Sequence, residues 1–339
     1  MIQKIQIITT SNTDPYENLA LEEYLMDTVE PGTCILYLWQ NRQTVVIGQN
    51  QNAWQECKVK ELEEDGGFLA RRLSGGGAVF HDLGNLNFTF LLPRSEYDVA
   101  RQSDVIVQAV RSFGLAAERS GRNDILVDGR KFSGNAYFKR GANAYHHGTL
   151  LIHVYMANLS RYLNVPADKL RSKGVRSVVS RVANLQEFNP DITVDAMKER
   201  LVWAMGQVYG TQPQPVDEQK LDRARIQALA QRNASWEWRL GRKLPFDTSF
   251  SARFPWGGVT VQLSVESGLV HRAQVYSDAM DSAFIQALPQ ALEGHRFSAR
   301  ELAQAVEPLL PEAGQQELGF EADRAMAQDV QALIARQDF

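Results

Sequence analysis

Apolar and polar side chains alternate over residues 1–8, the two-residue period of a strand. After a turn-like stretch at 11–15, Leu19, Leu21, Tyr24 and Leu25 mark a helix that carries Glu22 and Glu23 on its other side. Strands are predicted over 34–39 and 44–47, around a polar turn at Asn41 and Arg42, followed by a short helix over 54–64. Phe88, Phe90 and Leu92 at alternate positions predict a half-buried strand. Val99, Ile106, Val110 and Phe113 share one helical face. Asp128-Gly129 lies between two short apolar runs and predicts a hairpin, because its tight turn needs positive φ. Leu150, Ile152 and Val154 predict a further strand, which residues 146–149 enter.

Residues 156–210 read as mostly helical, with a loop over 171–184. A boundary is predicted within 210–250, marked by the polar, proline-rich 211–215 and the break at 241–245. Beyond it, Val259, Val261, Leu263 and Val265 alternate, a turn follows at 266–268, and a second strand covers 269–276 before helices that run to residue 337. Strands and helices mix without regular βαβ alternation, which predicts an α+β fold with a mixed sheet rather than a doubly wound one. The division falls at a larger domain over 1–245 and a small α+β domain over 246–339.

Composition narrows the function more than the fold. The 339 residues carry 36 basic and 40 acidic side chains, a net charge of 36 − 40 = −4. That excludes a global basic field for nucleic acid, though local basic clusters suit a small anion. Cys34 and Cys57 are too few for a disulfide framework and lack metal-ligand spacing, so a reducing, cytoplasmic setting is expected. The first residues lack the continuous apolar core of a signal peptide. No stretch approaches the roughly 20 apolar residues that span a bilayer.

The chemistry concentrates in three places. Arg71-Arg72-Leu73-Ser74-Gly75-Gly76-Gly77 precedes Ala78-Val79-Phe80-His81-Asp82. Glycines without Cβ atoms let backbone approach a ligand and aim N–H groups at an anion, and the arginines can neutralise phosphate or carboxylate. The same run also reads as a flexible turn between strands. It fits neither a Walker A loop nor the dinucleotide fingerprint. Lys131 follows the predicted hairpin turn; it is either an exposed turn lysine or a cation placed to stabilise charge on a carboxyl or phosphate oxygen. Asn123 and Asp124 offer oxygens suited to Mg2+ alongside substrate phosphates. His81, His146, His147 and His153 match no metal-ligand spacing. The basic stretch 169–181 reads either as a solvated loop or as a phosphate-binding one.

Taken in order, RRLSGGGAVFHD at 71–82, GRND at 121–124, RKFSGNAY at 130–137, HHGTLL at 146–151 and KGVRSVVSRVANL at 173–185 closely resemble the lipoate–protein ligase A family. Trp236-Glu237-Trp238 and Trp256-Gly257-Gly258 extend the resemblance into the C-terminal part. It implies the α+β catalytic domain of lipoate and biotin ligases, with a small C-terminal domain that changes orientation during the cycle. It also implies a two-step reaction: lipoate and ATP form lipoyl-adenylate, and the lipoyl group passes to a protein lysine.

By resemblance, Arg72, Gly77, Ala78, Val79, Phe80 and Lys131 bind the nucleotide. Arg71, Ser74, Gly76, Lys131 and His147 bind lipoate, with Lys131 the catalytic residue. Asn123 and Asp124 meet the phosphate or Mg2+, and 173–184 forms an adenylate-binding loop. The implied acceptors are lipoyl-accepting domains of 2-oxoacid dehydrogenase E2 subunits and the glycine-cleavage H protein. A monomer that binds neither nucleic acid nor membrane is expected. The rivals within the fold are an octanoyltransferase, whose acyl-accepting cysteine has no counterpart near or after Lys131, and a biotin–protein ligase.

Overall fold

The computed structural model describes residues 2–120, 124–164, 182–241, 246–309, 324–337 and Phe339. In chain order the elements are β1 Lys4–Thr9, α1 Pro15–Thr28, β2 Thr33–Trp39, β3 Thr44–Ile47, α2 Ala53–Glu56, α3 Val59–Glu64, β4 Phe68–Arg71, β5 Val79–His81 and β6 Asn85–Pro93. Next come α4 Val99–Arg111, β7 Ala117–Ser120, β8 Asp124–Val127, β9 Arg130–Arg140, β10 Asn143–Leu151, α5 Ala157–Tyr162, α6 Val194–Tyr209, β11 Gln214–Pro215, α7 Arg223–Ala234 and α8 Trp236–Leu240. Last are β12 Thr248–Phe254, β13 Gly257–Glu266, β14 Leu269–Ser277, α9 Ser282–Leu292, α10 Ala299–Ala305 and α11 Arg324–Ala335.

Two compact units emerge. One comprises Met1–Val46, Trp54–Arg71 and Ala78–Arg239; the other comprises Ile47–Ala53, Arg72–Gly77 and Leu240–Phe339. The larger is built on a mixed sheet in the order β11-β1-β2-β6-β10-β9-β8-β7, with β1 parallel to β2 and β11. This is the α+β architecture that the irregular mixing of elements predicts.

The faces of that sheet differ in chemistry. Side chains two apart on a strand share a face. Leu36, Leu38, Leu86, Phe88, Phe90, Leu92 and Leu150 lie on one face, in a single apolar core with Val105, Ile106 and Val110 of α4 and Met197, Leu201 and Met205 of α6. The intervening residues of β6, Asn85, Asn87 and Thr89, are polar yet at most 2% exposed. So β6 is buried on both sides, not half-buried.

Helix α1 lies over part of this second face. Glu22 and Glu23, expected on a solvated side, are 2% and 3% exposed. Glu23 accepts from Arg140 at 3.0 Å and Arg232 at 3.1 Å; Glu22 accepts from a threonine and a histidine of the sheet. Buried carboxylates are tolerated when they are paired and hydrogen-bonded in this way. Asp14 caps the helix by accepting from the N–H groups of Tyr16 and Glu17, with Pro15 at its first position.

Other expectations shift for local reasons. The helix predicted over 54–64 is two short ones, interrupted where Cys57 forms a β-bridge to Leu163. Strand β10 begins at Asn143, so residues 146–149 lie inside it. Helices α7 and α8 occupy the stretch read as a boundary, and β5, β7 and β12 were not foreseen. The hairpin forms as expected, with Asp128 at φ 50° and Gly129 at φ 72°. In the smaller unit β12-β13-β14 form an antiparallel sheet whose core includes Val259, Val261, Leu263, Ile285 and Val330.

Candidate active site

The polar face of the larger unit gathers groups far apart in sequence. Trp39 Nε1 donates to Thr89 Oγ1 at 3.2 Å, and that hydroxyl donates to Glu22 Oε1 at 2.6 Å. His147 Nδ1 lies 2.8 Å from the same carboxylate oxygen, so that nitrogen carries the hydrogen and donates. Thr89 and His147 are direct partners across β6 and β10, which places both on one face. Of these, only His147 was anticipated. Glu22, Trp39 and Thr89 looked like helix-surface and strand residues, and only tertiary packing brings them under cover.

Lys131 reaches this face through an irregularity. In a regular strand it would point opposite to Gly134, three positions on. The register between β8 and β9 shifts: Asp124 pairs with Gly134 and Ile125 with Ser133, but Leu126 pairs with Lys131. The extra residue sends both Phe132 and Ser133 to the core, each 0% exposed, and returns Lys131 to the side of Asp124 and Gly134. Lys131 Nζ then lies 2.6 Å from Asp124 Oδ1. Gly134 makes room for it, since a Cβ there would be 3.1 Å from Nζ.

The end of the expected adenylate-binding loop, 173–184, meets this same lysine. Ala183 N donates to the Lys131 carbonyl at 2.9 Å, and Asn184 bonds both N and O of Val154 at 2.9 Å. Residues 165–181, which include the basic stretch 169–181 and most of that loop, lie outside the described residues, as does Asn123.

The glycine run divides between the two units after Arg71. Arg71 donates to the carbonyls of Trp238 at 2.8 Å and Arg239 at 2.9 Å, and Trp238 Nε1 donates back to the Arg71 carbonyl at 3.0 Å. Phe80 is buried and stacks on Tyr162 at 5.6 Å, so its side chain serves packing. Within the smaller unit, Arg72 draws the run around its guanidinium, donating to Ser74 Oγ, the Gly75 carbonyl and the Gly77 carbonyl at 2.7–3.2 Å. Gly76, at φ 89°, donates its N–H to the Ala279 carbonyl at 3.0 Å. A Cβ on Gly75 would be 2.3 Å from that carbonyl, whereas one on Gly77 would meet nothing within 4 Å. The close backbone approach expected toward a ligand is therefore made toward protein at Gly75 and Gly76. Gly48, which sequence reasoning missed, admits the run: its Cβ would be 2.2 Å from the Gly76 carbonyl.

Two functions for other residues fall away. Burial pushes the Cys34 and Cys57 thiols up to about 12, so neither is an available nucleophile. His146 is fully enclosed and its pKa is lowered to about 3 by burial and, less, by neighbouring His147. Among the described residues no group of three or more His, Cys, Asp or Glu could hold a metal. None of their helices is long and apolar enough to cross a membrane.

Residues 14–206 match the lipoyl protein ligase A/B catalytic domain, and 243–318 match the bacterial lipoate protein ligase C-terminus. The chain belongs to the lipoyl protein ligase family. A lipoate-protein ligase A from Psychrobacter cryohalolentis is 39% identical over 307 residues, covering 88% of this chain and 91% of the relative. The structure of LipL1 from P. falciparum in complex with lipoate is 26% identical, with a TM-score of 0.83, covering 98% of this chain and 100% of that one. A lipoate-protein ligase A structure bound with ATP is 25% identical, with a TM-score of 0.59, covering 71% and 99%. Every residue expected in the ligase site lies within 14–206.

Proposed function

We infer that the protein is an ATP-dependent lipoate–protein ligase. The observation that carries the reading is Lys131, brought by a bulge onto the polar face and held by Asp124. Membership of the ligase family supports it. A free carboxylate is a poor electrophile, so it must first be activated. One lipoate oxygen attacks the α-phosphorus of ATP and pyrophosphate leaves. The amine of the acceptor lysine then adds to the carbonyl carbon, AMP leaves with its electron pair, and the ammonium proton passes to solvent. Both steps concentrate negative charge on oxygen, which the Lys131 ammonium offsets.

Arg72 and Gly77, Ala78, Val79 and Phe80 are assigned to the nucleotide, Phe80 through its backbone because its ring is engaged with Tyr162. Arg71, Ser74, Gly76, Lys131 and His147 are assigned to the acyl substrate. Mg2+ arrives as part of MgATP. Asp124 is one carboxylate already shared with Lys131, which fits an ion carried by substrate phosphates rather than a resident metal. Asn123 is assigned beside it. The catalytic domain is taken as 1–245 and the accessory domain as 246–339. The acceptors are lipoyl-accepting domains of E2 subunits and the H protein, and the enzyme works as a cytoplasmic monomer.

Intact-mass measurement of an unmodified lipoyl domain tests this. Incubation with the protein, lipoate and MgATP should add one lipoyl group to one lysine, and omission of ATP should abolish it. Octanoylation from acyl-carrier protein without ATP would instead make the chain an octanoyltransferase. The buried state of Cys34 and Cys57 argues against that outcome.

A further inference from the structure

Two side chains on the polar face have no part in the steps above. Asn85 and Asn87 are 0% and 2% exposed and lie on the same side of β6 as Thr89. Asn85 Nδ2 donates to Asn87 Oδ1 at 3.0 Å. Among the described residues this leaves Asn87 Nδ2 and Asn85 Oδ1 enclosed without a partner. Folded proteins rarely leave buried amides so, because an unmade bond there costs its full desolvation.

Register locates the pair. Asn87 stands directly across from Thr149 on β10 and from Trp39 on β2. Thr149 Oγ1 accepts from Gly134 N at 3.4 Å, and the space over Gly134 holds Lys131 Nζ. Asn87 and Lys131 therefore flank Thr149 from β6 and β9, strands whose backbones lie about 10 Å apart across β10. Lys131 bends over Gly134 toward that interval, and the amide of Asn87 borders it from the opposite strand.

We propose that Asn87 is a catalytic residue that contacts the acyl group. Its Nδ2 donates to the lipoate oxygen that does not attack phosphorus, and so to the carbonyl oxygen of the adenylate. When the acceptor amine adds to that carbon, the C–N bond forms and the carbonyl π pair moves onto this oxygen. Lys131 and Asn87 then hold the oxyanion from two sides until the bond to AMP breaks. Asn85 is a positioning residue: by occupying the Asn87 carbonyl, it fixes which end of the amide faces the substrate. The contact forms as the acyl head group enters, since the donor is enclosed in the free protein. The assignment rests on the ligase reading above.

Asn87→Leu keeps the size of the side chain and removes both polar ends. In lipoate-dependent pyrophosphate exchange and in transfer to a lipoyl domain, kcat should fall on the order of 100-fold. KM for ATP should stay within about twofold. The Tm of the free protein should change little, because the unpaired Nδ2 of Asn87 goes while Asn85 Nδ2 loses its acceptor, and the Tm gain on adding lipoate and MgATP should shrink. Asn87→Asp keeps an acceptor for Asn85 and also loses the donor, so it should be as impaired. It keeps the test decisive if the leucine variant does not fold. A lowered Tm with kcat within about twofold of wild type, in either variant, overturns the assignment. If wild type itself lacks lipoate-dependent exchange, the ligase reading fails first; if wild type exchanges and the Asn87 variants do too, only this inference fails.

Discussion

On β10, His146 and His147 are neighbours in sequence and face opposite sides of one sheet. His146 sits among Phe88, Phe90 and Tyr137, ring to ring at 5.0–5.7 Å. Its nitrogens meet Gln102 at 3.0 Å and Asn135 at 2.8 Å. A neutral imidazole has one donor and one acceptor. Nδ1 faces Gln102 Oε1 and Nε2 faces Asn135 Oδ1, so one of the two amides must offer its NH2 instead. His147 instead faces a carboxylate that is itself bonded to Thr89. Identical side chains one residue apart thus serve a packed core and a chemical surface. Burial alone does not separate those roles; the kind of neighbour does.

That contrast predicts that damage to one face unfolds the protein and damage to the other stops its chemistry. The largest effect is expected from Phe88→Ala on the apolar face. It should cost about 3–5 kcal/mol by denaturant unfolding, while the activity of the molecules that remain folded is kept. Next, Lys131→Ala should lower kcat for acyl transfer by about 100- to 1,000-fold, with Tm unchanged, because a stabiliser of oxygen charge is removed from a partly exposed position. A large fall in Tm would blur the division between faces.

The glycine run allows a comparable division three residues wide. Gly75→Ala meets the Ala279 carbonyl and should destabilise by about 1–3 kcal/mol. Gly77→Ala, facing open space, should stay within about 0.5 kcal/mol in stability and weaken ATP binding, measured by calorimetry.

The smallest effect at neutral pH is one that grows only in acid. His146 has a folded pKa of about 3, below its unfolded value, so the unfolded chain binds the extra proton. Its contribution is complete above about pH 6.5 and is lost as pH falls toward 3. His146→Leu should flatten that slope in urea titrations between those limits; an unchanged slope would mean other groups set it.

Much of this arrangement could be read in advance. Alternation announced β1, β6 and β13, Asp128-Gly129 announced its hairpin, and the ordered motifs pointed to the ligase family. The polar face could not be read, because Asn85, Asn87 and Thr89 alternate with apolar residues as any solvated strand face would. The cover over Thr89 comes from α1, more than 60 positions earlier in the sequence. The direction of Lys131 depends on a one-residue bulge that no local signal marked. Glu22 and Glu23 looked solvated because helical periodicity reports hydrophobicity, not the presence of buried partners.

If this polar face activates lipoate as an adenylate, pyrophosphate exchange into ATP measures that step alone. With lipoate and MgATP present and no acceptor domain, the wild-type protein should catalyse exchange that disappears when lipoate is withheld. Absence of exchange with lipoate present, or equal exchange without it, would mean that this face does not activate lipoate.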